Sequence, residues 1–294
     1  MFFFSLSLVF AADEPADSLA KKMLPIYVKE VSEYSLAVAS NPKKELELKK
    51  EPVFEWSNPV RSEVQQGVVF LWIRDGRPAA LGCIFSQPAP RFGGRRVIHE
   101  FHALDREKLL VSRVDASNEW KPQAGLRRQE FPDAGTPAAT PGARLVQMRR
   151  LAQEISGHEI DEQGKRWDLR LLPAPLYRYP SAKSGAMDGA LFALVSNAGT
   201  DPEVLLLIEA HEAKGKMHWE YALGRFSDRS LYIGRKDKEV WSSVRDETNV
   251  HLHDPLHLYR AYPDKIVSLE GNLLARIRAT DQNSSGVVIP VGEK

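Results

Sequence analysis

The chain has one cysteine in 294 residues, Cys83, so no intrachain disulfide can staple it and its stability must come from packed cores. It also lacks an excess of either charge. With 40 Lys and Arg against 39 Asp and Glu, there is no electrostatic footprint for DNA, RNA or anionic lipid, and nucleic acid is not an expected partner. After the first ten residues no apolar stretch approaches the roughly 20 residues that span a bilayer, so no integral membrane segment is expected in the mature chain. Catalytic signatures are missing as well. No Gly-x-Ser-x-Gly elbow and no Gly-rich phosphate loop occurs. Ser40-Asn41-Pro42-Lys43 has a Ser-x-x-Lys spacing without its companion motifs. His99-Glu100-Phe101-His102 lacks the two residues after Glu that put both histidines of the helical zinc-protease motif on one face.

The opening residues contain an apolar run, Phe2 to Phe10, followed at once by Ala11-Ala12-Asp13-Glu14-Pro15. This reads as the apolar region and small-residue exit of a secretory signal over residues 1–11, although no Lys or Arg precedes it. The mature protein is expected to begin at Ala12 and to act in the periplasm or outside the cell.

The rest of the chain repeats a pattern. Pro52-Val53-Phe54-Glu55-Trp56, a polar gap and Gly67-Val68-Val69-Phe70-Leu71-Trp72 are echoed by Pro175-Leu176-Tyr177-Arg178-Tyr179, a polar gap and Gly189-Ala190-Leu191-Phe192-Ala193-Leu194. A period of about 120 residues implies a duplicated domain rather than a solenoid. Helical periodicity in Leu19, Met23, Ile26, Tyr27, Tyr34 and Val38 predicts a first amphipathic helix, with Pro25 in its first turn and Asn41-Pro42 at its stop. A second helix is expected after the cap Thr140 and the N1 residue Pro141, with Leu145, Met148, Leu151 and Ile155 buried and Gly157 ending it.

These features predict an α+β fold of two tandem similar units, each an N-terminal helix followed by an antiparallel sheet. The expected boundaries are 12–128 for the first unit, 129–141 for a Pro- and Ala-rich linker and 142–294 for the second, which carries a C-terminal strand extension. The unbroken apolar runs Val68 to Ile73 and Leu205 to Ile208 predict strands covered on both faces.

Trp56-Ser57-Asn58-Pro59-Val60-Arg61, the hairpin from Trp72 to Pro78, the string Val97 to Leu104 and the run Asp188 to Val195 together resemble a paralogous group of exported bacterial proteins of planctomycete type. The likeness extends over nearly the whole chain. It implies export and a bacterial setting, and it brings no activity, ligand or catalytic residue.

The densest group of possible metal ligands is His251-Leu252-His253-Asp254-Pro255-Leu256-His257. Histidines at i and i+2 on a strand face the same side, and His257 and Asp254 can complete a site for zinc or copper. Polar strands and turns also collect histidines without metal. His99 and His102 should face opposite sides of a strand, one inside and one outside. His158 to Glu162 reads as a solvated loop. Trp56, Trp72, Trp219, Tyr179 and Tyr221 suit a core or a sugar or peptide platform, and Cys83 reads as a buried, quiet thiol. The leading expectation is an exported, non-catalytic binding or assembly protein with no cofactor; the alternative is a metal-assisted hydrolase using His251, His253, His257 and Asp254.

Overall fold

A computed structural model describes residues 16–58, 64–113, 118–179, 186–213, 215–245, 256–280 and 283–291. The leader, residues 1–11, lies outside the described residues. The chain begins with α1 (Ala16–Ser32), β1 (Tyr34–Val38) and β2 (Asn41–Glu45). A long meander follows: β3 (Glu47–Asn58), β4 (Gln65–Arg74), β5 (Arg77–Ala89) and β6 (Gly94–Ala103), then β7 (Leu109–Arg113). The middle holds β8 (Gln129–Glu130), α2 (Pro141–Gln153), β9 (Ile155–Ile160), β10 (Arg166–Leu171) and β11 (Tyr177–Arg178). After these come β12 (Ala186–Ser196), β13 (Pro202–Ala213), β14 (Lys216–Arg225), β15 (Ser230–Arg235) and β16 (Lys238–Ser243). The last strands are β17 (Tyr259–Val267), β18 (Leu273–Thr280) and β19 (Asn283–Pro290).

This corrects the expected α+β fold of two tandem helix-plus-sheet units. Among the described residues there are nineteen strands and only two α-helices, and the chain does not close one sheet per half. The first large sheet has the order β19-β18-β17-β6-β5-β4-β3, so the C-terminal strands complete the sheet that residues 47–103 begin. The second runs β16-β15-β9-β10-β12-β13-β14-β8, with β11 also paired to β12. A small sheet, β2-β1-β7, stands apart. Every pairing is antiparallel.

Burial explains the layering. On β4, Val68, Phe70 and Trp72 pack with α1 and the small sheet, whereas Val69, Leu71 and Ile73 pack toward the second sheet. On β13, Val204, Leu206 and Ile208 meet α2, and Leu205 and Leu207 meet the first sheet. A strand alternates its side chains between faces, so an unbroken apolar run needs cover on both. The two sheets cover each other, and the helices close the outside.

Four local expectations change. Tyr34 and Val38 lie on β1, because α1 ends at Ser32 and the period switches from 3.6 to 2. Pro25 sits within α1 on its exposed side, where water can satisfy the Lys21 carbonyl that loses its amide partner. In α2 Thr140 does accept from the Ala143 amide and Pro141 is N1, but the helix ends at Gln153, and Ile155 and Gly157 belong to β9. The stretch 129–141 is docked on the second sheet: β8 pairs with β14, and Phe131 and Ala134 are buried.

His99 and His102 do face opposite sides of β6, yet neither is outside, since both faces of the sheet are covered. His99 meets a buried charge cluster beneath α1. There Arg113 donates to both Asp264 oxygens at 2.6 and 2.9 Å, to Glu30 at 3.1 Å and to Glu33 at 2.9 Å. Lys265 donates to Glu30 at 3.0 Å. Tyr34 bridges His99 Nδ1 and Tyr262, each at 2.6 Å. Burial opposes ionisation of Asp264, but His99, Arg113 and Lys265 outweigh it and hold the carboxyl well below its usual range.

Candidate functional site

The layer between the large sheets is apolar at its centre, where Leu71, Leu81, Leu191, Leu205 and Leu207 meet. Toward the start of β13 and the end of β14 it opens into a cavity of about 1070 Å³. The strands stay in register there, but their inward positions change from apolar to polar. β5 continues from Leu81 and Cys83 to Phe85 and Gln87, and β6 presents Glu100, Ile98 and Arg96. Clefts between packed layers with a few convergent polar groups are the usual form of a ligand site.

A clasp holds one side of the cleft. Asn58, at the end of β3, donates to Asp201 at 2.7 Å and accepts from the Thr200 amide at 2.8 Å, while the Thr200 hydroxyl donates to the Ser57 carbonyl at 2.8 Å. The β12–β13 turn is thereby fastened across to the first sheet. On the other side, the Tyr259 hydroxyl donates to Glu100 at 2.7 Å. Burial, with Glu100 and Asp228 nearby, keeps that phenol protonated far above its ordinary range. Trp167 forms part of the rim. Its indole N–H donates to Asp161 at 2.8 Å, and this bond, with backbone donors, holds Asp161 below its usual range.

The lining is acidic on balance: Glu100, Asp161, Glu162, Asp201, Glu203 and Asp228 against Arg96, Arg170 and Arg229. Arg229 is already paired with the fully buried Glu159. Among the described residues, no histidine or cysteine lines the cleft. The arrangement therefore offers carboxylates, guanidinium groups and aromatic faces.

Of the expected metal ligands, His251, His253 and Asp254 lie outside the described residues. His257 accepts the Trp120 indole N–H on its backbone carbonyl at 3.1 Å and lines a separate cavity of about 590 Å³. That cavity also contains His102, Arg127, Arg128 and Arg225. Desolvation lowers the His102 pKa to about 4, and its Nδ1 donates to the Ala103 carbonyl at 2.8 Å. Trp72, Trp219, Tyr179 and Tyr221 are core residues, and of the five aromatics singled out from sequence only Trp56 borders the large cleft. Cys83 is buried, accepts the Trp56 indole N–H at 3.3 Å, and has its thiol pKa raised well above the ordinary value by burial.

Sequence reasoning missed two groups. The stretch around Glu159 to Glu162 is strand β9 and a turn at the cleft, not a free loop. It also missed Glu209, which lies between the sheets at the end opposite the cleft. Arg77 holds Glu209 with two bonds of 2.5 and 2.6 Å, Tyr179 donates to it at 2.7 Å and Arg128 at 3.2 Å. Burial alone would raise the Glu209 pKa, but His211, Arg77 and Arg128 hold it well below the usual range. The signal was present in Glu209-x-His211 and His218-x-Glu220, placed symmetrically about a turn at Gly215.

No protein-family model, no curated protein and no solved structure matches this chain. Its chemistry is thus read from its own geometry.

Proposed function

We propose that the protein is a non-catalytic binding protein that takes its ligand in the cleft between the two sheets and acts outside the cytoplasm. The observation that carries this reading is the 1070 Å³ cavity itself, walled by Trp56, Phe85 and Trp167 and lined by six carboxylates against three arginines. Its acidic balance favours a cationic ligand. Aromatic faces stack on the C–H faces of sugar rings, and Asn58, Asn197 and Gln163 add dipoles for hydroxyl groups. A cationic, hydroxyl-rich molecule such as an amino-sugar oligomer satisfies both features.

Trp56 and Trp167 provide a direct test, because ligand entry should change tryptophan fluorescence. Titration with amino-sugar oligomers should give a saturable change that is lost in Glu100→Gln and weakened in Trp167→Ala, while uncharged oligomers of equal length bind less tightly. No saturable change with any oligomer, or equal binding by both variants, would remove the cleft from consideration. Export belongs to the same proposal and is supported by the run Phe2 to Phe10 with its alanine exit. Protein recovered from outside the cytoplasm should begin at or near Ala12 by mass spectrometry; an intact Met1 there would count against it.

A further inference from the structure

The hairpin of β13 and β14 carries a second chemistry at the end away from the cleft. Strand alternation places Glu209 and His211 on one face of β13 and His218 and Glu220 on the matching face of β14. The register sets Glu209 opposite Glu220 and His211 opposite His218. From Glu203, at the cleft, to His211 is eight residues along one strand, about 26 Å at the usual rise.

His211 Nε2 is in conflict with its surroundings. It lies 3.4 Å from a Glu209 oxygen, 3.6 Å from a Glu220 oxygen and 3.3 Å from Arg106 Nη2. With a proton, this nitrogen opposes the Arg106 N–H. Without one, its lone pair is turned on two carboxylates. A divalent cation takes the place of the proton: it accepts the lone pair of the neutral ring, is attracted by both carboxylates and displaces the Arg106 N–H, so one ion removes both conflicts.

The spacing agrees. Zinc bonds to imidazole nitrogen and carboxylate oxygen are about 2.1 Å, which makes the edge of a tetrahedral site about 3.4 Å. His218 Nε2 lies 3.1 Å from the other Glu220 oxygen, so Glu220 faces both rings. Access is also suitable: the His211, His218 and Glu220 side chains are 13, 24 and 19 % exposed.

We propose that His211, His218 and Glu220 bind a divalent transition metal of the zinc class. Glu209 stays with Arg77, Arg128 and Tyr179 and supplies negative potential behind the ion. Arg106 is the cation displaced on loading. It pairs with Glu220 and its side chain is 45 % exposed, so it can leave into water at little cost. Three protein ligands leave a coordination position open, as in reactive rather than purely structural zinc sites. Among the described residues, the other carboxylate and histidine cluster, Glu30, His99 and Asp264, is closed off by burial and already holds Arg113 and Lys265.

Calorimetric titration of the full chain with zinc chloride tests this, with cobalt(II) absorption as a second readout of ligand type. The parent should take up a saturating ion that His218→Gln weakens by at least about tenfold, and Arg106→Ala should tighten it. His218→Gln is chosen because its position is the most open of the three; an unchanged melting temperature without metal separates lost ligation from lost fold. Absence of saturable zinc binding, equal affinity in His218→Gln, or weaker binding in Arg106→Ala would overturn the proposal.

Discussion

Two of the buried charge clusters among the described residues are built differently. Beneath α1, a single guanidinium, Arg113, holds Glu30, Glu33 and Asp264, and the cluster is sealed by the helix and the small sheet. Between the large sheets, Glu209 is the centre instead, and Arg77, Arg128 and Tyr179 converge on it from different segments. The first cluster ends in protein. The second continues through His211 and Glu220 to the partly exposed Arg106. Arg113 and Lys265 among several anions make a closed brace with no spare position. One anion among several donors, open on one side, leaves a place where cations can exchange.

The sharpest way to break this comparison is Arg113→Met. It would leave Glu30 and Asp264 buried with only Lys265 and His99 in contact, and removing one partner of a buried ion pair costs about 3 to 5 kcal/mol. Urea denaturation should show a loss of that size. A loss under about 1 kcal/mol would mean that the closed cluster is no more than a surface-like network.

Acid unfolding separates the clusters from the buried imidazole. Asp264 and Glu209 are both held below the usual carboxylate range. Their contribution is therefore complete above an unfolded value near 4 and is lost as pH falls through the lower folded values. His102 acts earlier. Its pKa is lowered from 6.5 to about 4, so stability should fall by on the order of 3 kcal/mol as pH drops across that window. The His102→Asn variant should lack this first phase and keep the second, as read by denaturation midpoints at a series of pH values. A single phase below pH 4 in the parent would contradict the buried neutral state of His102.

The smallest effect is expected at Tyr179→Phe. It removes one hydrogen bond to a charged group, worth about 2 kcal/mol, while Arg77 and Arg128 still hold Glu209. Comparing its denaturation curve with that of Arg113→Met measures how far shared donors cushion the open cluster. Equal losses in the two variants would erase the distinction.

Part of this arrangement was legible in the sequence. The runs Val68 to Ile73 and Leu205 to Ile208 predicted strands covered on both faces, and the sheets divide those residues between two sides as the alternation requires. The echo of Trp56 and Gly67 by Tyr179 and Gly189 does not make two units, although each glycine lies against its aromatic ring. A Cβ on Gly67 would lie 2.8 Å from the Trp56 ring, and one on Gly189 would lie 2.4 Å from the Tyr179 ring. Other signals misled. Tyr34 and Val38 continue a helical spacing by coincidence, since a few apolar residues fit both periods near the end of an element. The stretch after Gln129 looked free because its Pro and Gly content hid Phe131, which the second sheet buries.

By itself the sequence determined that the runs Val68 to Ile73 and Leu205 to Ile208 are strands needing cover on both faces, and that Thr140 starts α2, because alternation and capping depend on neighbours along the chain. Only the tertiary structure decided that β17 to β19 complete the first sheet, that His99 and His102 are both inside, and that Glu100, Asp201 and Asp228 share a cleft. Those facts depend on pairing between segments far apart in the chain. The quartet Glu209, His211, His218 and Glu220 stands between the two cases. Its symmetry about Gly215 is written in the sequence, but the conflict at His211 exists only once sheet packing brings Arg106 to the same nitrogen.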